Sequence, residues 1–187
     1  MFKDKKVLVT GGHGMIGREL VKLLVEKGAD VTVVDMSANT NLKGVDYRQA
    51  DLRHWHVCQH FCEGKDYVFN LAGIKGSPKM CAEQPADFMV PMLQFNTNMM
   101  QAAMAANVKW YLYTSSVGVY QPASVLKEDS VWKTMPSPND RFAGWAKRIG
   151  ELQAEAYAIQ NGTHNISIVR PANVYGKYDN FDPENAM

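Results

Sequence analysis

Two regimes of apolar spacing alternate along this chain. Short runs of four or five apolar residues give way to stretches in which apolar residues recur every three or four positions. The first spacing is that of a buried strand, the second that of a helix with one apolar face. Lys6–Thr10 opens as a strand. Ile16, Leu20, Leu23 and Leu24 then mark a helix, with Gly28 placed as its C-terminal glycine. Further strands are expected over residues 31–35, 45–49, 67–71, 110–114 and 166–170. Helices are expected over 52–62 and over 85–107, where Pro91 is a point at which the longer one could break. A last apolar stripe of Trp145, Ile149, Leu152, Ala156 and Ile159 marks another helix, and 121–140, rich in Pro, Ser and Asp, reads as a long surface loop.

Short β-branched strands alternating with helices imply parallel pairing, because parallel neighbours need crossover connections. The expected fold is therefore α/β: one Rossmann-type, doubly wound parallel sheet spanning residues 1–187 as a single dinucleotide-binding domain. In that architecture the 121–140 loop falls at the carboxyl ends of the strands, where ligands bind.

Composition narrows the partners. Twenty basic residues against nineteen acidic ones leave a formal charge of +1, so neither nucleic acid nor a membrane surface is an expected partner. No apolar run reaches the ~20 residues that span a bilayer, and no signal segment precedes the first strand. Three cysteines, Cys58, Cys62 and Cys81, do not make a disulfide framework, and a cytoplasmic location is expected. His54, His56, Cys58, His60 and Cys62 alternate by two, which scatters them around a helix. Structural zinc instead draws cysteine pairs from loops, and no metal is expected.

The chemistry-bearing motif is Gly11, Gly14 and Gly17 between the first strand and the first helix. The first glycine permits a tight turn, the second lets backbone approach a pyrophosphate, and the third allows close packing of helix on strand. Met15, Ile16 and Gly17 then present helix N-terminal N–H groups to the phosphates. Asp35 stands eighteen positions after Gly17, at the end of the second strand. Its carboxylate can accept from both hydroxyls of an adenosine ribose and repels a 2′-phosphate, so NAD is the expected cofactor rather than NADP.

These glycines, with Asp51-Leu52, Asn70-Leu71-Ala72-Gly73 and Ser115-Ser116-Val117-Gly118-Val119-Tyr120, resemble the extended short-chain dehydrogenase/reductases, the NAD-dependent epimerases, dehydratases and reductases of nucleotide sugars. Pro85-Ala86-Asp87-Phe88 and the stretch from Asn173 to Phe181 look most like the GDP-fucose synthase and GDP-mannose epimerase branch. The resemblance implies that Asp51 and Leu52 flank the adenine and that Leu71, Ala72 and Gly73 pass beneath the cofactor. It implies that Ser116 hydrogen-bonds the sugar oxygen, that Lys147 holds the nicotinamide ribose, and that Pro171, Asn173 and Val174 border the nicotinamide. A nucleotide-diphosphate sugar is the implied substrate, and a homodimer through the long helix and the Lys147 helix the implied assembly.

The sequence also departs from the family pattern. Four residues before Lys147, where the family has the tyrosine of its catalytic pair, stands Ala143. A methyl group transfers no proton, and such catalysis is worth ~10²–10⁴-fold. Three accounts of Ala143 stay open: an engineered substitution, a native site in which Tyr120 or a substrate group replaces the phenol, or a non-catalytic relative. Met92 stands where an asparagine is usual, and Gly118 and Met187 where the fucose-synthase branch has its epimerising cysteine and histidine. Family members continue past the sixth strand into a small substrate domain, so the resemblance implies that residues 1–187 are the cofactor half with the C-terminal substrate domain absent.

Overall fold

A computed structural model of the chain describes residues 1–38, 41–74, 76, 78–162 and 164–179. The strands are β1 (Lys6–Thr10), β2 (Asp30–Asp35), β3 (Asp46–Gln49), β4 (Tyr67–Asn70), β5 (Trp110–Thr114) and β6 (Ile166–Val169). They form one parallel sheet in the order β3-β2-β1-β4-β5-β6, with Val7 paired to Val31 on one side and Tyr67 on the other. The order reverses between β1 and β4, the switch point at which such sheets bind ligands. The helices are α1 (Met15–Glu26), α2 (Trp55–Cys62), α3 (Pro78–Glu83), α4 (Pro85–Ala105) and α5 (Arg141–Asn161).

Side-chain alternation along the strands feeds two cores. Val7, Val9, Val31 and Val33 pack with Val21 and Leu24 of α1 on one face. Leu8, Val34, Val68 and Tyr111 pack with α2, α4 and α5 on the other. Central strands buried on both faces read as continuous apolar runs, which is why β1 and β2 are conspicuous in the sequence. β3, at one edge of the sheet, is mostly exposed and carries an Asp46–Arg48 ion pair at 2.8 Å.

Two helices depart from the face their apolar spacing suggests, α1 in part and α5 throughout. In α1 Leu24 is buried and Leu20 packs against the core as expected, but Gly17 and Val21 complete the buried face while Ile16 and Leu23 are exposed. The third glycine sets this rotation: a Cβ at Gly17 would overlap Gly11 O and lie 2.6 Å from Gly12 Cα. Gly17 must therefore face the turn, and Val21 and Leu24 follow it inward at i+4 and i+7.

In α5 the residues turned inward are Gly144, Ala146, Arg148, Gly150, Glu151 and Ala154. The apolar stripe points away, with Ile149 40% exposed, Leu152 48% and Ile159 78%. Closeness decides again. A Cβ at Gly144 would lie 2.6 Å from Gly118 O, and one at Gly150 would overlap the Tyr113 hydroxyl. Only the small-residue face of α5 can approach β5 and the turn after it.

Pro91 lies inside α4 without ending it. The carbonyl that a residue-91 N–H would have met belongs to Asp87, which is exposed, so water can serve it. Met92, Met99 and Met100 are core residues of this helix. Among the described residues no helix is long and apolar enough to cross a membrane.

Candidate functional site

The turn after β1 is built for close approach. Gly11 sits at φ 67°, its N–H donates to Val34 O at 2.9 Å, and a Cβ there would lie 2.7 Å from Leu71 O. Thr10 Oγ1 donates to Asn70 Oδ1 at 2.7 Å and accepts from Ala72 N at 3.3 Å, locking the ends of β1 and β4 together. Gly14 is the N-cap of α1 in extended conformation with no side-chain cap, and the first turn holds no acidic residue. Its leading N–H groups, including those of Met15, Ile16 and Gly17, are therefore available to an anion.

Asp35 closes this corner. Its Oδ2 accepts from His13 N at 3.1 Å and its Oδ1 from Ser37 N at 3.0 Å, so the carboxylate is fixed between the glycine turn and the end of β2. Arg18 braces the same corner: it donates to His13 O at 2.8 Å and to Asn41 Oδ1, meets the His13 ring, and lies over the Tyr178 ring at 5.1 Å. Sequence reasoning missed Arg18, because its role depends on three segments meeting.

A cavity of about 320 Å³ opens beside the turn, lined among others by Gly11, Asp35, Asp51, Leu52, Ala72 and Gly73. These expected residues thus converge on one space. Leu52 is buried, and Gly73 has open space where a Cβ would stand. Asp51 is engaged bidentately by Arg53, with Nε at 3.0 and 2.9 Å and Nη2 at 2.5 Å. That guanidinium holds the Asp51 carboxyl below the usual carboxylate range. Arg53, Pro91 and Phe95 also line the cavity. The first is an exposed-looking arginine in the sequence and the others read there as interior helix residues.

The second group lies at the carboxyl end of β5. Ser116 caps the 3₁₀ turn Val117–Val119, its Oγ accepting from Gly118 N at 3.0 Å. Lys147 Nζ donates to Thr114 O at 2.8 Å, and burial pulls its ammonium from 10.5 down to about 8. Ala143, one turn before Lys147, lines a separate cavity of about 360 Å³ together with Cys81, Phe88, Asp140 and Phe142. A Cβ at Gly118 would lie 2.9 Å from both Cβ and Oδ2 of Asp140, so this turn has no room for a larger residue without moving α5. Tyr120 is buried, and its hydroxyl accepts from Arg170 Nη1 at 3.0 Å.

Other expected positions stand apart. Pro171 O accepts from Val117 N at 3.0 Å, which ties the segment after β6 to the Ser116 turn. Asn173 and Val174 are exposed and line neither cavity. Met92 is 3% exposed, in the core. Met187, and residues 180 and 181 of the branch motif, lie outside the described residues. Cys58 and Cys62 are buried thiols pushed up to about 12 by desolvation, and Cys58 Sγ donates to Leu52 O at 3.0 Å. Among the described residues no group of three or more His, Cys, Asp or Glu side chains is placed to hold a metal ion.

The NAD dependent epimerase/dehydratase family matches residues 7–187. GDP-L-fucose synthase 1 of Arabidopsis thaliana is 32% identical over 190 residues, covering 98% of this chain and 55% of that protein. GDP-mannose 3,5-epimerase of the same plant is 27% identical, covering 94% and 48%. Among solved structures, UDP-N-acetylglucosamine 4-epimerase from Methanobrevibacter ruminantium M1 superposes with a TM-score of 0.82 at 26% identity, covering 99% of this chain and 60% of that one. A GDP-D-glycero-L-gluco-heptose synthase from Campylobacter jejuni, solved in the presence of NADPH, gives 0.82 at 25%, covering 100% and 52%. The chain spans about half the length of the curated relatives it matches.

Proposed function

The chain belongs to the NAD-dependent epimerase/dehydratase family, and from that premise we infer that residues 1–187 act as the dinucleotide-binding domain of a nucleotide-sugar epimerase, dehydratase or reductase. The observation that carries the reading is the glycine turn. It leaves no room for side chains at Gly11 and Gly17, it opens onto an uncapped helix N-terminus at Gly14, and Gly11 and Asp35 line one cavity. Those features fit a dinucleotide: N–H donors for the pyrophosphate, a carboxylate for ribose hydroxyls, and a mostly apolar cavity for the adenine.

In this reading Gly11, Gly14, Met15, Ile16 and Gly17 hold the pyrophosphate and Asp35 the adenosine ribose. Asp51 and Leu52 flank the adenine, and Leu71, Ala72 and Gly73 form the floor. Lys147, Pro171, Asn173 and Val174 take the nicotinamide end. Bound there, NAD would supply the acceptor for a hydride from a sugar carbon. Ser116 Oγ donates a hydrogen bond to the sugar oxygen, and Lys147 donates to the nicotinamide ribose. Ala143 supplies no proton. A second reading, a module that binds the dinucleotide without turnover, draws on Ala143 and on the tight packing around Gly118.

Calorimetric titration with NAD and NADP tests the first claim. NAD should bind saturably, at least roughly tenfold tighter than NADP, equivalent to about 1.4 kcal/mol. Binding of neither would end this reading. Adding nucleotide sugars to the NAD-loaded chain extended by the C-terminal domain its relatives carry, with and without Ala143→Tyr, separates the two versions: conversion of a sugar only in the Tyr variant supports the enzyme, and silence in both supports the binding module.

The outward stripe of α5 supports the homodimer. Phe142, Trp145, Ile149, Leu152, Ala156 and Ile159 follow one another at intervals of three, four, three, four and three, the repeat with which two helices pack along a seam. The stripe carries no charge, so a second copy of itself is a matched occupant across a two-fold axis. Sedimentation of the native chain should give a dimer, and Leu152→Glu a monomer with unchanged helix content.

A further inference from the structure

Helix α5 touches the Ser116 turn at more points than packing alone requires. Lys147 and Glu151, one helical turn apart, take hold of consecutive residues at the end of β5. Lys147 donates to Thr114 O at 2.8 Å, and Glu151 Oε1 accepts from Ser115 Oγ at 2.5 Å. Arg148, between them and 1% exposed, reaches the far side of the turn. Its Nε and Nη2 donate to Val119 O at 3.0 and 2.6 Å, and its Nη1 to Thr134 O at 2.5 Å. Ser116 therefore sits between residues gripped on both flanks by one helix, while its own hydroxyl is committed within the chain only to accepting from Gly118 N.

Glu151 is the centre of the grip. It is 3% exposed, and both its oxygens are used: Oε1 also accepts from Arg170 Nε at 2.9 Å and Oε2 from Arg170 Nη2 at 2.8 Å. Arg170, at the end of β6, spends its remaining nitrogen on the Tyr120 hydroxyl and on Glu128 O, both at 3.0 Å, and lies 5.3 Å from the centre of the Tyr120 ring. A buried carboxylate is retained at a cost in desolvation, which several simultaneous hydrogen bonds offset. Here those bonds converge on the two residues that bracket Ser116, the one before it and the one four beyond it.

We propose that Glu151 is a positioning residue for Ser116. Through Ser115 on one side and Arg170–Tyr120 on the other, it fixes the 115–120 turn in register with α5, and so sets the distance between the Ser116 hydroxyl and the Lys147 ammonium. The role assigned to Ser116 rests on the reading under Proposed function. The positioning itself is a property of the chain without ligand, and it is tested there.

The experiment is residue-resolved amide hydrogen exchange by NMR on the native chain, Glu151→Gln and Ser115→Ala, with thermal melting and NAD titration of each. Ser115→Ala is the second variant because it leaves the Glu151–Arg170 pair in place and removes only its link to β5. The expected result in Ser115→Ala is exchange of the Val117, Gly118, Val119 and Tyr120 amides at least tenfold faster. The Val7, Leu8 and Val9 amides keep their native rates. Glu151→Gln should show a larger local rise. Exchange that accelerates uniformly with a matching fall in melting temperature would overturn the proposal in favour of general stability. Unchanged exchange at 117–120 in both variants would overturn it outright. A native chain that fails to bind NAD removes the functional reading and leaves this result standing.

Discussion

The two halves of the sheet are held by different physics. The β1-β2-β3 half, with α1, is an apolar stack: Val7, Leu8, Val9, Val31, Val33 and Val34 are at most 1% exposed. Its glycine corner is backbone braced by Asp35 and Arg18, and its buried polar side chains are the short Thr10 and Thr32. The β4-β5-β6 half, with α4 and α5, buries Asn70, Asn96, Ser115, Arg148 and Glu151 along with its apolar residues, and the turn after β5 is anchored by side chains of α5. The first half presents the backbone of a glycine turn. The second must place side chains, a serine hydroxyl and an ammonium, and buried polar groups with fixed partners specify such positions more sharply than apolar contacts do.

The contrast is most easily broken by changing one residue in each half. The largest effect is expected at Gly17→Ala, where the added methyl meets Gly11 O and Gly12 Cα. NAD affinity measured by calorimetry should fall roughly 1000-fold, about 4 kcal/mol, with the urea midpoint falling much less. Retained affinity would show that the turn tolerates a side chain.

Arg148→Met comes next. It strips Val119 O and Thr134 O of their donor in a buried setting and should cost about 3 kcal/mol in urea unfolding. A loss under about 1 kcal/mol would mean that the second half is held by apolar contacts like the first.

The smallest effect concerns Lys147. Its folded ammonium titrates near 8 against 10.5 in the free side chain. Between those values the unfolded chain binds the extra proton, so stability contributed by this group rises with pH across that window. Lys147→Met should lose that rise: the native urea midpoint minus that of the variant should be algebraically greater at pH 9.5 than at pH 7.5. An identical difference at both would place the ammonium in water.

Legibility followed the same division. Strands β1 and β2 were readable because strands buried on both faces must be continuously apolar. The glycine turn was readable because its spacing is a property of contiguous backbone, and Asp35 because it ends the next strand. Arg18, Arg53, Arg148, Glu151 and Arg170 carried no local signal, since a charged residue in a sequence looks the same whether it meets solvent or a buried partner. The stripe of α5 was legible as a stripe, yet its direction was not, and that of α1 was legible only at Leu20 and Leu24. The spacing gives the face, and only the closest contacts decide which way it turns.

Sequence alone therefore determined the alternation of strands and helices, their parallel pairing in one α/β sheet, and the glycine turn, all of which arise from local periodicity and contiguous motifs. Tertiary structure alone decided that Gly17, Gly144 and Gly150 set the rotation of their helices, that Asp51 is engaged by Arg53, and that Ser116 is held through Glu151. Those outcomes depend on distances between segments remote in the chain, and steric closeness and buried charge outweigh apolar spacing once those segments meet.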